Sequence, residues 1–182
     1  MEVDDDNKRW SILESEVIKS IKEMKNGKAM GTDKIPIELL RALDEEGWKM
    51  FTEICNEIYE KSVWPKDFRE IIMIPIGKKK NTKKCEEHRT LSLISHAAKI
   101  LLRALNRRLY TTMGEQFGFR SGTGTRDAIG MLRILSERYI EKGRKVYAVF
   151  IDLEKAFDRV NWGRLMEILR RHGVRWRERR LI

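Results

Sequence analysis

The chain alternates between stretches with helical spacing of apolar residues and short runs that are apolar without a break. Val17, Ile18, Ile21 and Met24 recur at the three- and four-residue spacing of one helix face, and Asn26-Gly27 supplies a stop. The segment NGKAMGTDKIP (26–36) carries two glycines and reads as a loop. Pro36 is suited to a first helical position ahead of IELLRAL. Trp48, Phe51, Ile54, Cys55, Ile58 and Tyr59 predict a third amphipathic helix, ended at Trp64-Pro65. The pattern then changes. REIIMIPI (69–76) is short, β-branched and apolar, which predicts a strand. RTLSLIS (89–95) reads either as a second strand or as the lead into a helix through Arg108. Ile129, Leu132, Leu135 and Tyr139 mark another helix, closed by Gly143. Val146–Ile151 are six apolar residues in succession, a buried strand by pattern, and a helix follows from about Asn161 to Arg171. Helices mixed with a few strands give an α+β class. There is no internal repeat and no low-complexity tract.

Composition narrows the partners. The 182 residues suffice for one domain or two small lobes, and an apolar fraction of 41% supports a core. Lys and Arg outnumber Asp and Glu by 38 to 28, a formal net charge of +10. Such an excess points to an anionic partner, most often nucleic acid, although a basic protein with solvated charged faces has the same count. Cys55 lies on an apolar helix face, and Cys85 has no second Cys or His at zinc-ligand spacing. So few cysteines fit a reducing compartment. No apolar run approaches the ~18 residues that would span a bilayer. The opening MEVDDDNKRW lacks the features of a signal peptide.

Three segments carry candidate chemistry. The first is VYAVFIDLEKAFDRV (146–160), in which a carboxylate, Asp152, follows the apolar run. Burying an ionised carboxylate alone in an apolar setting costs several kcal/mol or neutralises the group, so Asp152 is read at an opening of the fold. There it either caps the following turn or ligates a hard cation such as Mg²⁺. One carboxylate does not complete a two-metal site. The second segment is GKKKNTKKCEEHR (77–89), five lysines and an arginine in thirteen residues. It is either a solvated loop or a hairpin tip that meets phosphates, and Arg89 at its end has the fork geometry that clamps a triphosphate. The third is QFGFRSGTGTRDA (116–128). It lacks the lysine of a phosphate loop. Its glycines turn the chain or let backbone N–H groups approach phosphates beside Arg120 and Arg126. Phe117 and Phe119 suit core packing first and base stacking second. His88, His96 and His172 form no nucleophile or metal arrangement.

Together, NGKAMGTDKIPIELL, IIMIPIGKKKNTKKCEEHRTLSLISH, EQFGFRSGTGTRDAIG and VYAVFIDLEKAFDRVNW, in this order, resemble the reverse transcriptase of non-LTR (LINE-like) retrotransposons. The resemblance covers about residues 14–182. It implies a right-hand polymerase fold of which this chain holds the fingers and part of the palm. Residues 1–13 would be a disordered lead-in, 14–65 a helical N-terminal extension, 66–144 the fingers and 145–182 the start of the palm. The motif F-x-D-x-x-x-A-F-D fits Phe150 to Asp158. It implies that Asp152 is the catalytic carboxylate and binds both Mg²⁺ ions, with the Leu153 carbonyl as a further ligand. The N–H groups of Lys155 and Ala156 would face the triphosphate, and Phe157 would be the steric gate that favours dNTP over rNTP. Asp158 would order the next turn. In the fingers, Lys78 or Lys79 and Arg89 would bind the incoming nucleotide. Phe119, Arg120 and Lys28 would hold the RNA template.

The resemblance also has gaps. The Gln-Gly motif further into the palm and the Tyr/Phe-x-Asp-Asp turn that supplies the partner carboxylates do not occur; the only Asp-Asp pairs lie within residues 4–6. The chain therefore reads as a fragment that polymerises nothing alone, with RNA template, DNA primer and dNTP as partners of the complete enzyme, in cytoplasm and nucleus. The competing reading is a non-catalytic RNA-binding remnant of a retroelement.

Overall fold

The computed structural model describes residues 11–80, 82–110, 116–120, 122–153 and 156–182. The chain divides into two compact units. One comprises Met1–Thr111 with Ile168–Ile182, and the other Thr112–Glu167. The architecture is mixed, helical with a small sheet, in agreement with the α+β class.

The first unit is built on three helices: α1 (Glu14–Glu23), α3 (Glu45–Lys61) and α5 (His96–Tyr110), with the short α2 (Ile37–Arg41) between the first two. Each starts where the sequence supplies an acceptor for the free N–H groups of a first turn. The Glu16 carboxylate accepts from the Leu13 N–H at 2.9 Å, Asp44 Oδ1 from the Gly47 N–H at 2.8 Å, and Ser95 Oγ from the Ala98 N–H at 3.0 Å. Pro36 stands immediately before α2, and α3 ends where Ser62 enters the left-handed region at φ 51°. The predicted apolar faces converge. Val17 and Ile21 of α1, Cys55, Ile58 and Tyr59 of α3, and Ile100, Leu101 and Ala104 of α5 are all buried in one cluster. Burial pushes the Cys55 thiol up to about 12.

Charged groups stitch α1 to α5 at the margin of this core. Arg108 grips Glu16 with two hydrogen bonds, Nε to Oε1 at 3.0 Å and Nη2 to Oε2 at 2.6 Å. Its guanidinium also lies 5.6 Å from the centre of the Tyr59 ring. Arg107 donates to the Glu16 carbonyl, to Ser20 Oγ and to the Glu23 carboxylate.

Beyond α3 come α4 (Lys66–Arg69) and then a hairpin of β1 (Ile72–Gly77) and β2 (His88–Leu93), paired antiparallel. RTLSLIS is thus resolved as a strand followed by a helix. The chain also forms α8 (Trp176–Leu181), which the apolar pattern did not predict. Its Glu178 is buried and accepts from the Tyr59 hydroxyl at 3.3 Å, and Trp64 Nε1 donates to the Leu181 carbonyl at 2.9 Å.

In the second unit α6 (Thr125–Glu141) begins with the Gly124 N–H donating to Asp127 Oδ2 at 2.7 Å. The helix predicted from Asn161 is α7 (Trp162–Arg171), capped by Asn161 Oδ1, which accepts from the Arg164 N–H at 3.0 Å. Its last residues pass into the first unit. The apolar face of α6 is not buried: Ile129, Leu132, Leu135 and Tyr139 are all exposed.

The predicted buried strand Val146–Ile151 does not form. Residues 144–153 have no regular secondary structure, and Tyr147, Phe150 and Ile151 are more than four-fifths exposed. A strand is a property of a pair, because a lone extended segment leaves its N–H and C=O groups without a ladder. Among the described residues the only sheet is the β1–β2 hairpin, and it belongs to the other unit. Among the described residues, no helix is long and apolar enough to cross a membrane.

Candidate nucleic-acid interface

The hairpin places the basic residues first. Its register pairs Ile76 with Arg89 and Gly77 with His88. Cross-strand partners share a face, and faces alternate along a strand. Arg89 therefore lies on the face of Ile76, Ile74 and Leu91, at the end nearest the tip. Every residue of β1 is exposed, as is Arg89.

The tip separates the two lysine candidates. The Lys78 N–H donates to the Glu87 carbonyl at 2.8 Å, and Lys78 Nζ donates to the Glu86 carbonyl at 2.9 Å. One of the three donors of its ammonium is thereby engaged within the hairpin. Lys79 is exposed and makes no hydrogen bond or ion pair with any described residue. The same holds for the Arg89 side chain. Lys79 and Arg89 are thus exposed cations on one hairpin, and each retains its full donor set.

Lys28 sits in the loop between α1 and α2, exposed on a segment tied at both ends. The Gly27 N–H donates to Glu38 Oε1 at 2.7 Å, and Arg41 donates to Asn26 Oδ1 at 2.6 Å and to the carbonyls of Ile21 and Lys22. Further on, His96 Nδ1 meets the Ile35 carbonyl at 2.9 Å. A carbonyl only accepts, so Nδ1 carries the proton. Gly31 packs directly on the backbone of residues 94–95: a Cβ there would stand 2.5 Å from the Ser95 nitrogen and 2.7 Å from the Ile94 carbonyl carbon.

In the second unit the QFGFR segment is a turn held by its own polar groups. Thr123 Oγ1 donates to the Phe117 carbonyl at 3.0 Å and Gln116 Nε2 to the Gly118 carbonyl at 3.0 Å. Phe119 adopts φ 59°, a left-handed conformation uncommon for a bulky residue, and its ring is 82% exposed. Core packing, the first reading for Phe119, is corrected: only Phe117 is half-buried. Phe119 instead meets Phe157 edge-on, with ring centres 6.1 Å apart and planes at 86°. Phe157 is 81% exposed, and Arg120 and Ala156 are exposed as well.

Asp152 and Leu153 are exposed on the unpaired segment that precedes this contact, so no strand holds the carboxylate as a rail. Asp152 has no hydrogen-bond or ion-pair partner among the described residues, and these contain no group of three or more metal-ligating side chains. A free carboxylate with an adjacent carbonyl is the donor chemistry of Mg²⁺, which binds through one or two carboxylates and completes its shell with water and substrate phosphates. Lys155 lies outside the described residues.

The hydrogen-bonded neck of the hairpin tip, Thr82 with His88, was not visible in the sequence, where His88 stands apart from any ligand pattern. The one local sign is Gly77, which has room for Thr82 only because it lacks a side chain.

Residues 76–181 match the family described as reverse transcriptase (RNA-dependent DNA polymerase). The chain is 30% identical over 153 residues to the probable RNA-directed DNA polymerase from transposon BS of Drosophila melanogaster, covering 80% of this chain and 17% of that protein. It is 27% identical over 141 residues to the RNA-directed DNA polymerase from mobile element jockey of the same fly, covering 73% and 15%. It is 28% identical over 155 residues to the probable RNA-directed DNA polymerase from transposon X-element, again of Drosophila melanogaster, covering 80% and 17%. The chain thus spans about a sixth of the length of these relatives. With more than half of its residues inside the family match, the chain belongs to the reverse transcriptase family, in its non-LTR, LINE-like branch.

Proposed function

We propose that this chain supplies the nucleotide- and template-binding part of an RNA-directed DNA polymerase, with residues 14–65 as the N-terminal extension, 66–144 as fingers and 145–182 as the start of the palm. The observation that carries the reading is the presence on one hairpin of two exposed cations without partners among the described residues, Arg89 on β2 and Lys79 in the tip, within the segment that matches the family. The substrates are an RNA template, a DNA primer and dNTPs.

Arg89 grips the triphosphate through its planar fork, and Lys79 adds a mobile point charge. Lys78 is the weaker candidate, because one donor of its ammonium is already engaged by the Glu86 carbonyl. Phe119 and Arg120 hold the template strand, the ring against a base and the guanidinium against a phosphate. Lys28 adds a second phosphate contact. Phe157 excludes a ribose 2′-OH. The Lys155 and Ala156 N–H groups meet the triphosphate. Asp152 and the Leu153 carbonyl would hold Mg²⁺. When bound, that ion neutralises charge on the phosphate oxygens. Copying an RNA and delivering the DNA to a chromosome places the complete protein in both cytoplasm and nucleus.

The sequence lacks a Tyr/Phe-x-Asp-Asp turn, so Asp152 has no partner carboxylates of that motif here. The chain alone is therefore expected to bind without polymerising. A primer-extension assay with Mg²⁺ and dNTPs tests this. No incorporation is expected; incorporation that Asp152→Ala abolishes would show that the chain completes a metal site by another route.

A further inference from the structure

The tip of the hairpin carries five lysines and two glutamates between residues 78 and 87. Like charges at such density repel, and a loop so composed spreads unless something holds it. Two side chains, Thr82 and His88, meet at its neck. His88 is half-buried and has both ring nitrogens engaged. Nδ1 lies 2.9 Å from the Lys84 carbonyl and Nε2 lies 3.2 Å from Thr82 Oγ1. The carbonyl can only accept, so Nδ1 carries the proton. In the neutral ring Nε2 then accepts from the Thr82 hydroxyl. Gly77, the cross-strand partner of His88, makes the closure possible. A Cβ on Gly77 would stand 2.6 Å from Thr82 Oγ1 and 3.1 Å from the Lys79 carbonyl. The Thr82 hydroxyl thus fills the space left by the missing side chain.

The consequence falls on the two cations of the proposed site. Lys79 follows Gly77 by two residues, and its carbonyl lines the same space. Arg89 is the neighbour of His88 on β2. A latch that joins Thr82 to His88 ties the residue next to Arg89 to a residue three beyond Lys79.

We propose that the Thr82–His88 latch, seated over Gly77, is a positioning device for the polyphosphate site. It holds the lysine-rich tip closed, so that Lys79 and Arg89 meet a triphosphate already in place. Thr82 and His88 do not touch the ligand; they reduce the ordering that binding would otherwise require. The inference rests on the reading that the hairpin receives the triphosphate.

The test is a titration of the full chain with inorganic tripolyphosphate at fixed ionic strength. Thr82→Val keeps the shape of the side chain and removes its hydroxyl, while Thr82→Ser keeps the hydroxyl. The latch is expected to make Thr82→Val bind about three- to tenfold more weakly, the scale of one hydrogen bond, and to leave Thr82→Ser within about twofold of the parent. Gly77→Ala, which pushes the hydroxyl out, should resemble Thr82→Val. Equal binding by Thr82→Val and the parent, with Arg89→Ala still impaired, overturns the latch and leaves the triphosphate reading intact. So does equal weakening of Thr82→Val and Thr82→Ser. Binding indifferent to Arg89→Ala, or no binding by the parent, removes the triphosphate reading and the latch with it.

Discussion

The edge of one exposed ring meets the face of another where Phe119 approaches Phe157, 6.1 Å between centres and nearly perpendicular. Each residue comes from a segment that the family resemblance marks for a different duty, template grip and nucleotide gate. Both rings remain about four-fifths open to solvent. Phe119 thus gives the fold little burial while its backbone is left-handed at φ 59°.

Replacing Phe119 with Ala should therefore separate binding from stability. An aromatic pair contributes about 0.5–1.5 kcal/mol, and less when exposed, so the unfolding free energy should fall by under about 1 kcal/mol. Affinity for a short single-stranded RNA should fall by about 1–3 kcal/mol, the scale of one lost base-stacking contact. Denaturant unfolding and fluorescence anisotropy, run on the same preparation, measure the two effects. A large loss of stability with unchanged RNA affinity would make Phe119 a structural residue.

The ion pair between Glu16 and Arg108 predicts an acid dependence. Burial, the largest influence on the Glu16 carboxyl, pulls it upward. The Arg108 hydrogen bonds, the Leu13 N–H and the charges of Arg108 and Arg107 together outweigh burial and hold it below the usual 4.5. A carboxylate depressed by folding contributes stability that is fully present above its unfolded value. That contribution is lost as pH falls through the lower, folded value. Arg108→Met should cost about 1–3 kcal/mol at pH 7, and the difference from the parent should shrink below about pH 4. Urea melts across that range measure it. A difference that stays constant with pH would mean that Arg108 acts through its contact with the Tyr59 ring rather than through Glu16.

The two cysteines should label unequally. Cys55 is buried and its thiol is pushed up to about 12, whereas Cys85 is exposed in the hairpin tip. The thiolate is the reactive form, so burial and the raised value both protect Cys55. Iodoacetamide at pH 8 should modify one thiol per folded chain and both in denaturant. Peptide mass spectrometry assigns the site, and rapid native labelling of Cys55 would contradict the α1–α3–α5 core.

Gly31 is a position where a single methyl group should destabilise the first unit. The added Cβ would meet backbone atoms of residues 94–95 at 2.5–2.8 Å, and backbone cannot yield as a flexible side chain does. Gly31→Ala should cost about 1–3 kcal/mol or more, the usual range for overpacking. Gly27→Ser, where nothing lies within 4 Å, tests the positive φ of 67° alone and should cost less. A thermal melt of each variant ranks them; the reverse order would mean that the 26–36 loop does not dock on the start of α5.

Much of the first unit was legible in the sequence because its signals are local. Val17 and Ile21, or Cys55, Ile58 and Tyr59, declare a helix face without reference to the rest of the chain, and the structure buries them. The hairpin was legible in part: REIIMIPI declared its first strand, whereas RTLSLIS fitted either a strand or the lead into a helix. The Glu16–Arg108 grip was not, because its partners are 92 residues apart and each alone is an ordinary surface charge. α8 was missed because six residues, three of them arginine, are too few to show a period. The error at Val146–Ile151 has a different source. Six apolar residues mark a segment fit for a strand, but pairing depends on a neighbour that local pattern does not contain. At the candidate site, residue types and order were legible from the resemblance. That Lys78 is occupied and Lys79 free was not, because it depends on where the Glu86 carbonyl lies.

The most direct measurement of the central claim is the equilibrium affinity of the chain for a fluorescent dNTP, with and without Mg²⁺, in the parent, Arg89→Ala and Asp152→Asn. Arg89→Ala should bind about tenfold more weakly or worse, the scale of a charge-assisted hydrogen bond lost. Asp152→Asn should abolish the gain that Mg²⁺ brings. Affinity indifferent to both substitutions would contradict the assignment of this chain as the nucleotide-binding part of a reverse transcriptase.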